Sequence, residues 1–193
     1  MVSMHGELNE NHDKAMSYEK SKETFTFVAS LKACARKKDL YKGSMLHSEI
    51  LERGLLERSP YLASSLISMY AKCDALSKAQ DVLEELPVRD IVSWNALIAG
   101  YTQQGRGHEA LNCFDWMQNE GLSPDVFTFT CILKAGGSIR DIDKGKQIHD
   151  EIIKRSLLEK DIVLGTALVA MYAKCGMFAK AQEVLEELPV RDV

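Results

Sequence analysis

One block of this sequence is written twice, 102 residues apart. It runs Met69-Tyr70-Ala71-Lys72-Cys73, Lys78-Ala79-Gln80 and Leu83 through Asp90. It returns as Met171-Tyr172-Ala173-Lys174-Cys175, Lys180-Ala181-Gln182 and Leu185 through Asp192. The echo extends upstream, where Phe25-Thr26-Phe27, Leu31-Lys32-Ala33, Lys42-Gly43 and His47 recur as Phe127-Thr128-Phe129, Leu133-Lys134-Ala135, Lys144-Gly145 and His149. Between Thr24–Asp90 and Val126–Asp192, 35 of 67 positions are identical, far above chance. An internal repeat of this kind constrains the fold before any other signal does.

Within the repeat, apolar residues recur at helical spacing in runs that turn residues interrupt. The spacing predicts helices over Phe25–Cys34 and Leu40–Arg53, Tyr61–Lys72 and Leu76–Leu86, Val92–Gln103 and His108–Glu120. Phe127–Ala135 and Ile142–Arg155, then Val163–Lys174 and Phe178–Leu188, complete the set. Gly54 and Gly121 cap helix ends, Pro87 stops a helix, and Gly136-Gly137 and Gly176 mark turns between paired helices. No segment alternates with period two. The helix pairs divide the chain into Thr24–Ser59, Pro60–Asp90, Ile91–Asp125, Val126–Asp161 and Ile162–Asp192. Met1–Glu23 precedes them as a polar tail or worn half-repeat, and Val193 opens a repeat that lies beyond the chain. A helix pair of this size cannot bury its apolar face alone, so the fold class is all-α: an α-solenoid of stacked antiparallel helix pairs. Ala79, Ala110 and Ala181 let helices approach closely.

Composition excludes some classes and leaves others open. Hydrophobic residues at 46% and charged residues at 27% suit a globular chain. No apolar run approaches the roughly 18 residues of a membrane span, so no membrane partner is expected. The five cysteines (Cys34, Cys73, Cys113, Cys131, Cys175) form no C-x-x-C and read as buried or inert thiols in a reducing compartment. Met1–Glu23 has three lysines, five acids and no arginine, so no transit peptide is visible. The net charge of −4 argues against a nucleic-acid partner at first sight, yet Thr24–Ser59 carries seven basic and four acidic residues. The face that the positive charge occupies matters more than its sum.

Catalytic signals are weak. His47-Ser48-Glu49 and His149-Asp150-Glu151 both read H-x-E, the first half of a zinc-deaminase signature, but P-C-x-x-C occurs nowhere. Gly145-Lys146 lacks the earlier glycine of a P-loop, because Arg140 stands there. The chain reads as non-catalytic, with no cofactor and no metal site.

Helix pairs of 35, 36 and 31 residues in rotation resemble the P, L and S motifs of plant pentatricopeptide repeat proteins of the PLS class. Ile91–Tyr101 with Gly121–Asp125 is similar to a P motif, as Lys134-Ala135 with Gly145–His149 is to an L motif. Leu168–Cys175 with Leu188–Asp192 is similar to an S motif. On that resemblance Thr24–Ser59 and Val126–Asp161 are L-type, Pro60–Asp90 and Ile162–Asp192 S-type, and Ile91–Asp125 P-type. The solenoid would be right-handed, and the chain a piece of a longer protein. The resemblance implies sequence-specific binding of single-stranded RNA, about one base per repeat, in a mitochondrion or chloroplast. It implies the recognition part of organellar RNA processing or cytidine-to-uridine editing, with an editing deaminase or editing factor in trans or on an extension.

The resemblance also implies roles for particular residues. The fifth and last residues of each repeat read the base: Val28/Ser59, Ser64/Asp90, Asn95/Asp125, Thr130/Asp161 and Thr166/Asp192. Uridine is expected at Asn95/Asp125, guanine at Thr166/Asp192 and less firmly at Ser64/Asp90, and little discrimination at Val28/Ser59. The second residues Phe25, Tyr61, Val92, Phe127 and Val163 form the base-stacking set. Arg36, Lys72 and Lys174 contact phosphate, where the other two repeats have Gln103 and Ser138. Read without the resemblance, a repeat-end aspartate is a surface or capping residue, Phe127 and Tyr61 are core, and Trp94, Trp116, Tyr70, Tyr101 and Tyr172 are packing residues. The competing function is a tetratricopeptide-like scaffold that holds a peptide or protein.

Overall fold

The computed structural model describes residues 4–56, 59–158 and 161–188, with side chains from residue 21 onward. In chain order the helices are α1 (Met4–Lys37), α2 (Leu40–Glu52), α3 (Pro60–Lys72), α4 (Leu76–Glu84), α5 (Ile91–Gln103), α6 (Gly107–Asn119), α7 (Val126–Ile139), α8 (Ile142–Lys154), α9 (Ile162–Lys174) and α10 (Phe178–Glu187). Among the described residues there is no strand, and no helix is long and apolar enough to cross a membrane. The chain forms two compact units, Met1–Pro87 with α1–α4 and Val88–Val193 with α5–α10. Short turns join each pair, which makes the paired helices antiparallel. The all-α solenoid class expected from the repeat is the one observed.

In the first unit α1 packs on α2 and α3, and α3 packs on α4. Leu31, Ile50, Leu62, Leu66 and Met69 are fully buried between them. Each such side chain contributes roughly 1.5–3 kcal/mol on leaving water. The ends of the helices follow from local chemistry. Asp39 caps α2 by accepting from the Lys42 amide at 3.0 Å. Pro60 opens α3 at a position whose N–H would have no helical partner. After α2 the chain turns through Gly54 at φ +58°, a left-handed backbone that a glycine adopts without strain.

In the second unit α5 packs on α7 and α7 on α9, while α6 also touches α7. The core holds Leu97, Ile98, Phe114, Met117, Phe129, Ile132 and Leu168. The 102-residue echo reappears here as repeated geometry. Arg53 lies 5.5 Å from the Phe27 ring and pairs with Glu49, and Arg155 lies 5.4 Å from the Phe129 ring and pairs with Glu151. His47 Nδ1 hydrogen-bonds the Tyr70 hydroxyl at 2.9 Å, and His149 Nδ1 the Tyr172 hydroxyl at 2.8 Å, with 5.5 Å between ring centroids in both pairs. Lys38, Asp74 and Gly54 share positive φ with their echoes Arg140, Gly176 and Ser156. The turn geometry is held by the fold even where glycine is absent.

Three expectations need correction. Helix α1 begins at Met4 and not at Phe25, so residues 4–23 are helical and continuous with the first expected helix; the stretch holds no proline and many good helix formers. Gly136-Gly137 is no turn: α7 runs through both to Ile139, and the turn falls at Arg140 with φ +57°. Gly137 serves packing instead, since a Cβ there would sit 3.2 Å from Met171 Cα on α9. Trp116 is no packing residue, being half exposed, whereas Trp94, Tyr70, Tyr101 and Tyr172 are buried.

Candidate functional site

The repeat-end aspartates set the start of each following helix. Asp90 accepts from the Ser93 amide at 2.8 Å, Asp125 from the Thr128 amide at 2.8 Å and Asp161 from the Leu164 amide at 3.0 Å. Ser93 and Thr128 return a hydroxyl to the capping residue's amide, which completes a capping box in each case. The second residue of each of these helices then stands outside the core. Val92, Phe127 and Val163 are exposed in the second unit, and Phe25 and Tyr61, each 74% exposed, in the first. The core reading of Tyr61 and Phe127 therefore fails.

Asn95 and Asp125 are brought together. Asn95 is buried, and its Nδ2 lies 3.2 Å from both carboxylate oxygens of Asp125. The Thr128 hydroxyl lies 2.7 Å from its Oδ1 and 2.8 Å from Asp125 Oδ1, and shares its one proton between the two acceptors. The two amide hydrogens diverge too widely for both to face one carboxylate. One N–H and one carbonyl lone pair therefore remain unspent. A carboxylate on the nitrogen side and a hydroxyl on the oxygen side also fix which way round the amide sits.

The other pairs differ. Thr130 Oγ1 donates to the Val126 carbonyl at 2.8 Å, Thr166 Oγ1 to Val163 at 2.9 Å and Ser64 Oγ to Tyr61 at 3.2 Å. Each hydroxyl spends its proton on its own helix and keeps oxygen lone pairs. Thr130 and Asp161 share no hydrogen bond. Asp192 lies outside the described residues, as do Pro189 to Val193. Ser64 belongs to the first unit and Asp90 to the second. Val28 is half-buried on α1, and Ser59 opens α3 without a side-chain cap bond.

Arg36, Lys72 and Lys174 are exposed. Arg36 and Lys72 flank a cleft of about 440 Å³ between α1 and α3, where Tyr61 and Ser64 also stand. Its further members, Lys32, Ser65 and Ser68, were not among the sequence candidates. Helical spacing could have found them. Val28, Lys32 and Arg36 fall four apart on one face of α1, as Tyr61, Ser65 and Ser68 do at four and three on α3. In the second unit Gln103 and Ser138 are exposed at the equivalent positions, and Ser138 donates to the Ala135 carbonyl at 2.7 Å.

Burial dominates the remaining titratable groups of the core. Burial pushes the Cys113 thiol up to about 12 and Cys131 up to about 11, and Cys34 is buried as well. Burial holds both His47 and His149 below the usual imidazole range, and the Nε2 of each is buried with no partner. Among the described residues no group of three His, Cys, Asp or Glu is placed to hold a metal.

Comparison with known proteins adds relatives to this geometry. Models of the PPR repeat family match residues 89–136, and PPR repeat models match residues 62–91 and 166–193. The chain is 36% identical over 169 residues to a pentatricopeptide repeat-containing protein of Arabidopsis thaliana, which covers 88% of this chain and 24% of that one. A second Arabidopsis protein of that name, chloroplastic, is 37% identical over 88% of this chain and 27% of its own. A third, mitochondrial, is 39% identical over 78% of this chain and 14% of its own. The chain thus spans about a quarter or less of the length of these relatives. The crystal structure of the pentatricopeptide repeat protein PPR10 from maize matches with a TM-score of 0.64 at 23% identity, over 91% of this chain and 26% of that one. PPR10 in complex with an 18-nt psaJ RNA element matches at 0.62 and 20%, over 81% and 23%. At such identity the likeness shows the fold, a solenoid of helix pairs.

Proposed function

Because the chain belongs to the pentatricopeptide repeat family, we propose that it binds single-stranded RNA by sequence, at about one base per helix pair. The observation that carries the reading is the Asn95–Asp125 pair, whose amide orientation is locked and whose free valences match one base. Uracil offers N3–H as donor and O4 as acceptor, and one amide N–H and one carbonyl lone pair answer both. Cytosine presents the reverse order, and the locked amide cannot turn over to meet it. Where a hydroxyl stands instead, as at Thr130 and Thr166, its lone pairs suit guanine, whose N1–H and N2–H need acceptors.

The exposed apolar residues Phe25, Tyr61, Val92, Phe127 and Val163 would stack against base faces. Arg36, Lys72 and Lys174 would meet phosphates, which reconciles an acidic chain with an anionic ligand. The rotation of block lengths supports the PLS class. On that reading the chain takes the recognition role in organellar RNA processing or cytidine-to-uridine editing, with a deaminase supplied in trans or on an extension. PPR10 crystallised with RNA, and the chloroplastic and mitochondrial relatives, support RNA as ligand and an organelle as setting.

Filter binding to pooled single-stranded RNA at two salt concentrations tests the reading. Binding that weakens with salt and enriches uridine at one position is expected. No RNA binding at low salt would overturn it, and capture of a peptide instead would favour the scaffold.

A further inference from the structure

The first copy of the repeat has two thiols where the second has one. Cys34 stands near the end of α1 and Cys73 caps α3, and both are free. Their echoes are Gly136 and Cys175. The setting of the second cysteine is kept. Cys73 Sγ lies 3.8 Å from Met69 Sδ, and Cys175 Sγ lies 3.9 Å from Met171 Sδ, both thiols half-buried. The second copy is therefore a built-in control for whatever Cys34 adds.

Several observations place Cys34 beside Cys73. Helix α1 packs on α3. Lys38, four residues beyond Cys34, meets Asp74, the neighbour of Cys73, at 3.0 Å. Burial pushes both thiols up, and after burial the strongest influence on Cys73 is the Cys34 thiol, ahead of Asp39 and Asp74; Asp39 also acts on Cys34. Each helix ends in a left-handed residue, Lys38 at φ +53° and Asp74 at φ +60°, and a helix end adjusts more readily than its middle. Access divides the roles. Cys34 is 3% exposed and suits a reaction inside the fold, whereas half-buried Cys73 is the thiol that solvent reaches.

We propose that Cys34 and Cys73 are a redox pair that closes into a disulfide between α1 and α3, with a low-molecular-weight disulfide of the glutathione type as oxidant. The Cys73 thiolate attacks one sulfur of the oxidant and breaks its S–S bond. A mixed disulfide forms on Cys73, and the first glutathione leaves with the Cys73 proton. Cys34 then attacks the Cys73 sulfur, the Cys34–Cys73 bond forms, and the second glutathione leaves with the Cys34 proton. The chain gives up two electrons and two protons, and one oxidised glutathione becomes two thiols. Because the thiolate is the nucleophile, the exchange quickens as pH rises. Cys175, with Gly136 opposite, stops at the mixed disulfide. The chemistry needs no RNA.

The full chain, incubated in glutathione buffers of rising oxidised fraction, is alkylated and mapped by mass spectrometry. A linked peptide pair holding Cys34 and Cys73 is expected, with Cys175 carrying glutathione at most. Cys34→Ser should lose the linked pair and leave glutathione on Cys73. Gly136→Cys supplies the missing thiol where a Cβ meets nothing nearer than the Asp141 carbonyl at 3.9 Å, and should add a second linked pair with Cys175. A wild-type Cys73 that stays reduced, or keeps its glutathione, in the most oxidising buffer overturns the pair. So does a Cys73 link to any other cysteine, or a link found only between two chains. A folded Gly136→Cys chain without the second link contradicts the placement that the echo assigns.

Discussion

The Asn95 amide nitrogen stands 3.2 Å from each carboxylate oxygen of Asp125, thirty residues away at the far end of the same helix pair. Asp125 also caps α7, so one side chain both starts a helix and orients an amide. Asp125→Asn separates the two tasks, because asparagine caps a helix about as well as aspartate does. Stability should change by less than about 1 kcal/mol in urea denaturation. The preference for uridine over cytidine should fall, because an amide facing an amide can turn over. Preserved preference would mean that Thr128 alone holds the orientation.

The two adjacent glycines of α7 should respond in opposite ways. Gly136→Ala places a Cβ with nothing nearer than the Asp141 carbonyl at 3.9 Å, and should stabilise by about 0.5–1 kcal/mol through helix propensity. Gly137→Leu drives a side chain into the Met171 backbone, 3.2 Å from the first added carbon, and should cost about 1–3 kcal/mol. Thermal or urea denaturation of both variants checks the contrast. Equal effects would mean that α7 and α9 are less closely packed.

Stability should fall on mild acidification. Burial holds the folded-state pKa of His47 and His149 below the ordinary value of about 6.5. Above that pH both states are neutral there and the histidines contribute no pH dependence. As pH drops through about 6.5 the unfolded chain takes up protons that the folded chain refuses. Each histidine then removes at most about 1.4 kcal/mol per pH unit, until the folded pKa is reached. Denaturation at pH 7.5 and 5.5 should show the loss, and the double variant His47→Gln/His149→Gln should show less of it. An undiminished loss in the variant would assign the effect to other groups.

Much of this was legible in the sequence, because a repeat doubles every signal. The helix pairs and the capping reading of Asp90, Asp125 and Asp161 follow from periodicity and end chemistry, whereas the exposure of Tyr61 and Phe127 runs against the core reading that their apolar character alone gives. What was hidden depends on neighbours along α7 and α9. Gly136-Gly137 reads locally as a turn, and only Met171 on the next helix explains why α7 continues through it. Thr128 looked like a repeat consensus residue, yet its hydroxyl reaches Asn95, 33 residues away in sequence. Lys32 was overlooked although it lies four residues from both Val28 and Arg36, because no single repeat shows that α3 forms the other wall of the cleft.

Thiol labelling of the native chain at pH 8 should divide the cysteines by burial. Half-buried Cys73 and Cys175 should react first, while Cys34, Cys113 and Cys131 stay protected until denaturant is added. Mass spectrometry of labelled peptides reads this directly. Early labelling of Cys113, whose thiol is pushed up to about 12, would contradict its burial against the core of α6.

The most direct measurement compares wild-type chain with Asn95→Thr on RNA libraries randomised at a single position. Wild-type chain is expected to select uridine there. The variant replaces a donor–acceptor amide with a hydroxyl, and is expected to shift selection toward guanine with little change at other positions. An unchanged preference, or a uniform loss of affinity with no change of base, would mean that Asn95 and Asp125 hold the fold together without reading RNA.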